Sequence, residues 1–226
     1  LKKDLLVHYP LTGDSKDVSG KGNHGTAKGV AFSEKSGASF SGGNALSSYI
    51  SLPTAMFDRN QEQNGMTVSF WVKNNEGTNN NVFGFGASKA CSSGKHFIIN
   101  MKVTDVKSGD YGKLFVSACP NGWGTDPNKI AVAPPAANTW MHLTIVMEGK
   151  SFTLYKDGVK AGTATEDYSL AEMGNNVFAY IGNAVYAHNP YGGDHDFSGN
   201  VKDFRVYGCA LGQTQVEAVY QGDGAP

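Results

Sequence analysis

Apolar and polar residues alternate with a period of two along most of this chain. In residues 66–73, Met66, Val68, Phe70 and Val72 share one face, and the residues between them share the other. A β-strand points successive side chains to opposite faces, so this pattern predicts strands that bury one side in a core. The alternation recurs from end to end without a change in character, which predicts a chain built of strands.

A three-stranded meander is the clearest local unit. One alternating run covers residues 140–148, and a glycine-containing turn leads into a second run over 151–156. Asp157-Gly158 then precedes a third run over 159–164, and Asp-Gly is the strongest short signal for a β-hairpin. These three strands are therefore predicted to be antiparallel neighbours.

The remaining segments predict one all-β domain. Further strands are expected over 5–9, 30–32, 49–52, 82–85, 96–101, 113–117, 178–181 and 200–207. A helical period is clear only over 212–221, which predicts a short C-terminal helix. With 29 glycines for tight turns and no crossover helices, the fold class is an antiparallel β-sandwich of two sheets, a single domain over residues 1–226.

The charge balance restricts the class of partner. The chain has 19 Lys and Arg against 20 Asp and Glu, so no basic surface for nucleic acid or an anionic membrane is expected. No apolar run is long enough to span a bilayer, and we expect a soluble monomer. The chain starts immediately before a predicted strand, as a processed terminus or an excised domain would, and we expect a secreted or cell-surface protein.

Three cysteines allow at most one internal disulfide. Cys91 and Cys119 flank two predicted strands and could meet at one end of a sheet, or both could remain reduced. Cys209 follows the last predicted strand, and we expect it to be a buried free thiol.

Five motifs, in this order, resemble the laminin-G-like family of concanavalin A-like jelly rolls. They are LVHYPLTGD with DVSGKGNHG (6–14, 17–25), FSGGN with YISLP (40–44, 49–53), WMHL (140–143), LYKDG (154–158) and FSGNVKDFRVY (197–207). The resemblance covers nearly the whole chain and implies a jelly-roll sandwich. This fold also carries lectins, glycosidases, adhesion domains and appendages of catalytic domains, so the fold alone does not give the function.

The resemblance also implies a structural calcium ion between the loop at 14–25 and the end of the last strand. Calcium binds six to eight oxygens, including backbone carbonyls. The expected ligands are Asp17, Asn23, the carbonyl of Gly42, Asn44 and Asp203. As the alternative, Asp17 and Asn23 are turn residues that bond their own backbone.

No catalytic arrangement is recognisable in the sequence. Glycoside hydrolysis needs two carboxylates on opposite sides of the bond, and the E-x-D-x-x-E strand motif of the related glucanases is missing. Glu166, Asp167 and Glu172 form the nearest acidic group, in a segment at 164–173 that we expect to be a solvated loop. We therefore expect no catalytic residues and no enzyme activity.

Two loops carry the candidate ligand residues. Trp123 lies between glycines, and the loop at 183–197 holds Tyr186, His188, Tyr191, Asp194 and His195. Aromatic faces and planar polar groups are what sugar recognition requires. The alternative is that these aromatics plug the end of the sandwich. Trp71 and Trp140 lie within alternating strands and are expected to serve packing.

Two functions fit the sequence. The first is a non-catalytic module that binds a polysaccharide or oligosaccharide for an extracellular glycan-processing enzyme and holds that enzyme near its substrate. The second is an adhesion domain of a cell-surface protein, with the same loops contacting a protein partner.

Overall fold

The computed structural model of the chain describes residues 1–43, 46–57, 65–75, 80–87, 94–101, 109–119, 129–174, 177–183, 195–222, 224 and 226, with the backbone alone at residues 80, 119 and 195. In this part of the chain, the first seven strands are β1 (Leu5–Tyr9), β2 (Thr26–Lys28), β3 (Ala31–Ser33), β4 (Gly37–Gly43), β5 (Tyr49–Ser51), β6 (Gly65–Asn74) and β7 (Asn80–Gly86). They are followed by β8 (His96–Asn100), β9 (Leu114–Cys119), β10 (Lys129–Val132), β11 (Trp140–Glu148), β12 (Ser151–Lys156), β13 (Val159–Thr165), β14 (Phe178–Ile181) and β15 (His195–Tyr207).

Helix is confined to short segments. The two α-helices are α1 (Leu170–Met173) and α2 (Gln213–Tyr220), and single 3-10 turns cover Lys2–Asp4 and Thr54–Phe57. No described helix has the length and apolar character needed to cross a bilayer. The all-β class with a short C-terminal helix is therefore confirmed.

The strands form two packed layers. One layer has the order β13-β12-β11-β6-β15, and β4 and β1 both lie on the free side of β15. The other layer has the order β10-β9-β8-β7-β14-β5-β2. A short parallel bridge between β15 and β7, at residues 195–196 and 80–81, connects the layers. All other recorded pairings are antiparallel, as predicted.

The alternation in β6 places its side chains as expected. Met66, Val68, Phe70 and Val72 belong to the main core, which both layers share. Trp71 on the opposite face is also buried, because α2 packs over that face. The ring of Tyr220 lies 5.6 Å from the Trp71 ring and 5.5 Å from that of His142.

The Asp157-Gly158 turn has the predicted geometry. Both residues have positive φ, 49° and 78°, as a two-residue type I′ hairpin requires. The turn joins β12 to β13, and β12 pairs with β11 on its other side. The predicted meander is confirmed.

Several elements were not predicted from the sequence. Strands β2, β4 and β10 are short or rich in Ser and Gly, so their apolar signal is weak. The expectation of a solvated loop at 164–173 was wrong, because α1 lies there and Tyr168, Leu170 and Met173 are buried. Cys209 is free and half-buried, whereas Cys91 and the Cys119 side chain lie outside the described residues.

Candidate functional site

Most of the predicted ligand residues lie outside the described part of the chain. This holds for Trp123 and for Tyr186, His188, Tyr191 and Asp194, and His195 is described by its backbone alone. The structure does describe the two ends of the 184–194 segment. The amide of Phe197 donates a hydrogen bond to the carbonyl of Gly182 at 2.8 Å, so the two ends are held side by side.

An oxygen-rich group of residues lies at this junction, which we call the Asp196 cluster: Gly42, Ser47, Asn183 and Asp196. The Asn183 side-chain amide donates to Asp196 Oδ1 at 2.6 Å. The Ser47 backbone amide and hydroxyl donate to Asp196 Oδ2 at 2.7 and 3.1 Å. The same hydroxyl lies 3.1 Å from the Gly42 carbonyl oxygen. The cluster thus ties the segment before Ser47 to the two ends of the 184–194 segment.

The carboxylate in the Asp196 cluster is buried among neutral groups. Asp196 is 1% exposed, and its partners are two N–H groups and a hydroxyl. In the described residues Asp196 takes part in no ion pair. A buried carboxylate without a counter-charge is costly, because desolvation disfavours the charged form.

One side-chain oxygen of the cluster lacks a hydrogen-bond partner in the described part of the chain. Asn183 is fully buried, and its Oδ1 accepts no hydrogen bond there. Exchanging the amide O and N would place Oδ1 against the carboxylate of Asp196, so the observed orientation is the favourable one. Asn183 Oδ1 and Asp196 therefore both present oxygens that a hard cation could bind.

Asp17 is satisfied by the protein itself. Its Oδ1 accepts from the backbone amides of His8 and Ser19, each at 2.9 Å, and its Oδ2 accepts from the Ser19 hydroxyl and the Asn23 amide at 2.8 and 3.0 Å. Burial by itself would raise the pKa of Asp17, but these four hydrogen bonds hold it below its usual value. The contacts are those expected of a turn residue.

Asn23 is likewise engaged within its own loop. Its side-chain amide donates to the carbonyl of Leu6 at 2.9 Å. Its backbone carbonyl accepts a hydrogen bond from the Tyr9 hydroxyl at 2.5 Å.

Asp203 lies in a bulge of β15 with φ of 51° and is paired with basic groups. Its Oδ1 is 2.7 Å from His8 Nε2 and accepts from Arg205 Nε and Nη2 at 3.0 and 2.9 Å. Burial opposes ionisation of Asp203, but His8 and Arg205 together lower its pKa. The Arg205 guanidinium therefore already supplies the counter-charge of this carboxylate.

The predicted calcium ligands do not gather at one place in the described residues. His8 connects Asp17 to Asp203, whereas Gly42 belongs to the Asp196 cluster. Gly42 of β4 lies beside Phe197 of β15, and Asp203 is six residues further along β15. The distance along the strand is roughly 20 Å. Asn44 lies outside the described residues. Among the described residues, no group of three or more His, Cys, Asp or Glu side chains suited to a metal is present.

The sequence analysis missed Ser47, Asn183 and Asp196. Asn183 follows β14 by two residues, and Asp196 immediately precedes Phe197, where the FSGNVKDFRVY motif begins. A polar residue at each end of a long glycine-rich segment was the available signal. The sequence analysis instead assigned ligand binding to the aromatic and polar residues within that segment.

The acidic group at 166–172 is built for packing. Glu166 is 6% exposed, and its Oε2 is buried without a hydrogen-bond partner. Burial raises the pKa of Glu166 to about 8, with the Tyr168 hydrogen bond opposing the shift and the nearby Glu172 adding to it. Glu172 accepts hydrogen bonds from the Ser169 amide and hydroxyl at 2.8 and 3.1 Å and so caps α1. The Glu166 carboxyl is therefore closed off from solvent, whereas the exposed Glu172 carboxylate is engaged in capping the helix.

Known structures share this fold over the full chain. Domain 4 of AbnA, an extracellular GH43 arabinanase from Geobacillus stearothermophilus solved with arabinotriose, is similar at 21% identity with a TM-score of 0.68, over 96% of this chain and 98% of that one. The binding domain of Paraclostridial Mosquitocidal Protein 1 is similar at 17% identity, with a TM-score of 0.65. The binding domain of botulinum neurotoxin DC, solved with rat synaptotagmin II, is similar at 12% identity, also with a TM-score of 0.65.

The extent of these similarities differs. Both toxin domains match 97% of this chain, but the chain spans only 52% of each of them. No match was found among curated proteins. At these identities the structural similarities establish the fold alone.

The family is established by the sequence itself. The model of the laminin G-type family described as the concanavalin A-like lectin/glucanases superfamily matches residues 42–217, which is more than half of the chain. The matched region runs from β4 to α2 and includes the Asp196 cluster. This chain therefore belongs to the concanavalin A-like lectin/glucanases superfamily, in its laminin G-type branch.

Proposed function

We propose that this chain is a non-catalytic carbohydrate-binding domain of an extracellular glycan-processing protein, and that it acts as a monomer. The main support is its similarity over nearly the full length of both chains to domain 4 of an arabinanase. That domain was solved in complex with arabinotriose. The Asp196 cluster adds to this support because it anchors the base of the segment that carries Tyr186, His188, Tyr191, Asp194 and His195. Fixing both ends of a segment favours binding, since less conformational entropy remains to be lost when a ligand binds.

We further propose that calcium binds at the Asp196 cluster. The candidate ligands are the carboxylate of Asp196, Oδ1 of Asn183 and the carbonyl of Gly42. We add Asn44, which follows Gly42 by two residues in the sequence and is one of the ligands expected from the sequence. The orphaned Asn183 oxygen and the unpaired buried carboxylate fit a hard cation, which would supply the missing positive charge. Asp17 accepts four hydrogen bonds from protein groups, and the Arg205 guanidinium supplies the counter-charge of Asp203, although Asp203 Oδ2 has no hydrogen-bond partner in the described residues. Neither carboxylate is part of this proposal.

A protein-binding domain is the second candidate function. It is supported by the structural similarity to a neurotoxin binding domain that was solved with synaptotagmin II. Both functions would use the same candidate loop residues, so a binding experiment is needed to separate them.

A glycan panel tests the main proposal. The domain is expected to bind at least one of arabinan, xylan, β-glucan, pectin and mucin glycans immobilised on an array. Trp123→Ala and His188→Ala are each expected to weaken that binding by about 1 to 3 kcal/mol, because each removes a stacking face or a hydroxyl partner.

Calorimetric titration measures these affinities, and Tyr111→Ala is the matched control. Tyr111 is a 56% exposed aromatic residue in the turn before β9. Wild-type affinity in both loop variants would place the glycan site elsewhere on the domain. Failure of the wild-type chain to bind any glycan, together with capture of a defined protein ligand, would favour the second function.

The domain is expected to release no reducing sugar from any polysaccharide that it binds. The nearest acidic pair is excluded from a cleft, because the Glu166 carboxyl is buried and Glu172 caps a helix. A reducing-end assay over several hours measures this. Turnover that disappears in Glu166→Gln or Glu172→Gln would contradict the expectation.

A further inference from the structure

The outer face of the first layer is only partly covered. Helix α2 packs over Trp71 and His142, and the apolar residues Val146, Tyr207 and Val219 form a small core there. Two residues further along β6, Lys73 lies on the same face. The ring of Tyr220 in α2 contacts Trp71 and His142, and Lys73 and Trp140 on the same face are only half-buried.

Four side chains form a row across the strands at this open part of the face. Register places Trp140 of β11 opposite Lys73 of β6, Lys73 opposite Asn200 of β15, and Asn200 opposite Ser39 of β4. Opposed residues in antiparallel strands point to the same side of a sheet. The next residues along these strands, Val72, Val201 and Ala38, are in the core, so the row faces outward. We call it the Trp140 row.

The row combines an aromatic surface with hydrogen-bonding groups. The Lys73 ammonium lies 5.3 Å from the centroid of the Trp140 ring, within cation–π distance. Trp140 and Lys73 are half-buried, Asn200 is 9% exposed and Ser39 is exposed. The row covers three strand spacings, or about 14 Å, which is long enough to contact several consecutive sugar rings.

The backbone that leads into Trp140 is held in place by the turn before it. Asn138, with φ of 58°, donates its backbone amide to the carbonyl of Asn74 at 2.8 Å. The amide of Thr139 bonds the carbonyl of Ala136 at 3.1 Å. These bonds fix the start of β11 against the end of β6, so Trp140 is presented on a rigid backbone.

We propose that the Trp140 row is a second glycan contact, distinct from the loop site, at which a polysaccharide chain lies across the strands. Trp140 stacks against a sugar face, and Lys73 and Asn200 hydrogen-bond its hydroxyl groups. A peptide is disfavoured as the occupant, because the strands beneath the row use their backbone groups in their own ladders and offer no edge for strand addition. This inference rests on the proposed glycan-binding function and adds a second point of attachment to it.

The test uses the whole chain and the polysaccharide of the panel that binds it most tightly. Trp140→Ala is expected to lower the affinity for that polymer about tenfold, because two contacts on one chain bind with avidity and one of them is lost. Lys73→Ala is expected to weaken binding in the same direction. Affinity gel electrophoresis measures both variants, and melting curves show whether each variant is folded.

Tyr111→Ala serves as the control and should bind as the wild type does. If Trp140→Ala does not fold, the result for Lys73→Ala decides. Wild-type affinity in the folded row variants, with affinity lost in Trp123→Ala or His188→Ala, would overturn the second contact and leave the glycan-binding function in place. If the wild-type chain binds no glycan, the proposed function fails and this inference fails with it.

Discussion

Calcium in hundredfold excess over its dissociation constant is expected to stabilise the wild-type domain by about 2.7 kcal/mol. For a domain of this size that corresponds to a rise in melting temperature of about 5 to 10 °C. The physical reason is that the ion would bind the buried carboxylate of Asp196 and the unpartnered oxygen of Asn183 only in the folded state. Calorimetric melting with chelator and with millimolar calcium measures the shift.

Two variants locate the ion. Asp196→Asn is expected to abolish the calcium-dependent shift, whatever its effect on stability without calcium. Asp17→Asn is expected to lower stability and to retain the shift, because Asp17 accepts four hydrogen bonds from protein groups. An unchanged wild-type melting curve would contradict the calcium proposal, and a shift lost only in Asp17→Asn would move the ion to the 14–25 loop.

The second large effect is a loss of stability on raising the pH, caused by Glu166. Its pKa is about 8 in the folded chain against an ordinary value of 4.5, so between these values the folded state holds a proton that the unfolded state has released. Stability from this group is therefore complete below pH 4.5 and falls as the pH rises to 8. From pH 6.5 to 8 the free energy of unfolding should decrease by about 1.5 kcal/mol.

Between pH 6.5 and 8, the expected change in stability comes mainly from Glu166. Burial lowers the pKa of His142 from 6.5 to about 4, and this group makes stability rise with pH below 6.5, in the opposite sense. Above 6.5 its contribution levels off and adds only about 0.4 kcal/mol of stability up to pH 8, because the unfolded-state histidine finishes losing its proton there. Urea unfolding at several pH values should show the decrease in the wild type and only this small rise in Glu166→Gln.

Glu172→Gln is the matched control for this experiment. The Ser169 hydrogen bonds hold the pKa of Glu172 below its usual value, so it titrates outside the range from 6.5 to 8. Its variant should still show a decrease between pH 6.5 and 8, somewhat smaller than in the wild type, because burial is the main cause of the raised Glu166 pKa and the Glu172 charge only adds to it. A wild-type profile that is flat from pH 6.5 to 8 would show that Glu166 is ionised in the folded domain.

The fold could be predicted because its signals are local. Period-two alternation in β6, β11 and β12 decides which face each residue takes, and Asp157-Gly158 specifies its turn through its own backbone preferences. The failures lie where a tertiary contact overrides local composition. Strand β4 is rich in Ser and Gly, and it forms a strand because β15 pairs with it. Likewise, the polar segment at 164–173 is buried through Tyr168, Leu170 and Met173.

The site was harder to predict because its members come together through strand register. Asp196 and Gly42 are far apart in sequence and meet because β15 pairs with β4 at that point. The composition of the loop around Asp17 suits a cation and a hydrogen-bonded turn equally well, and the family resemblance alone favours the cation. The groups around each carboxylate distinguish a turn residue from a cation ligand. Asp17 accepts four hydrogen bonds from protein groups, and Asp203 pairs with Arg205. Asp196 has no charged partner in the described residues.

The pairing of β1 with β15 has a practical consequence for attaching this domain to other molecules. Leu5 pairs with Tyr207, and Leu1 and Val219 line the same surface groove, so the first and last elements lie together. Asp196 is eleven residues back along β15, which is roughly 35 Å of strand. A fusion partner, affinity tag or sensor surface joined ahead of β1 would therefore be attached about this distance along β15 from the Asp196 cluster.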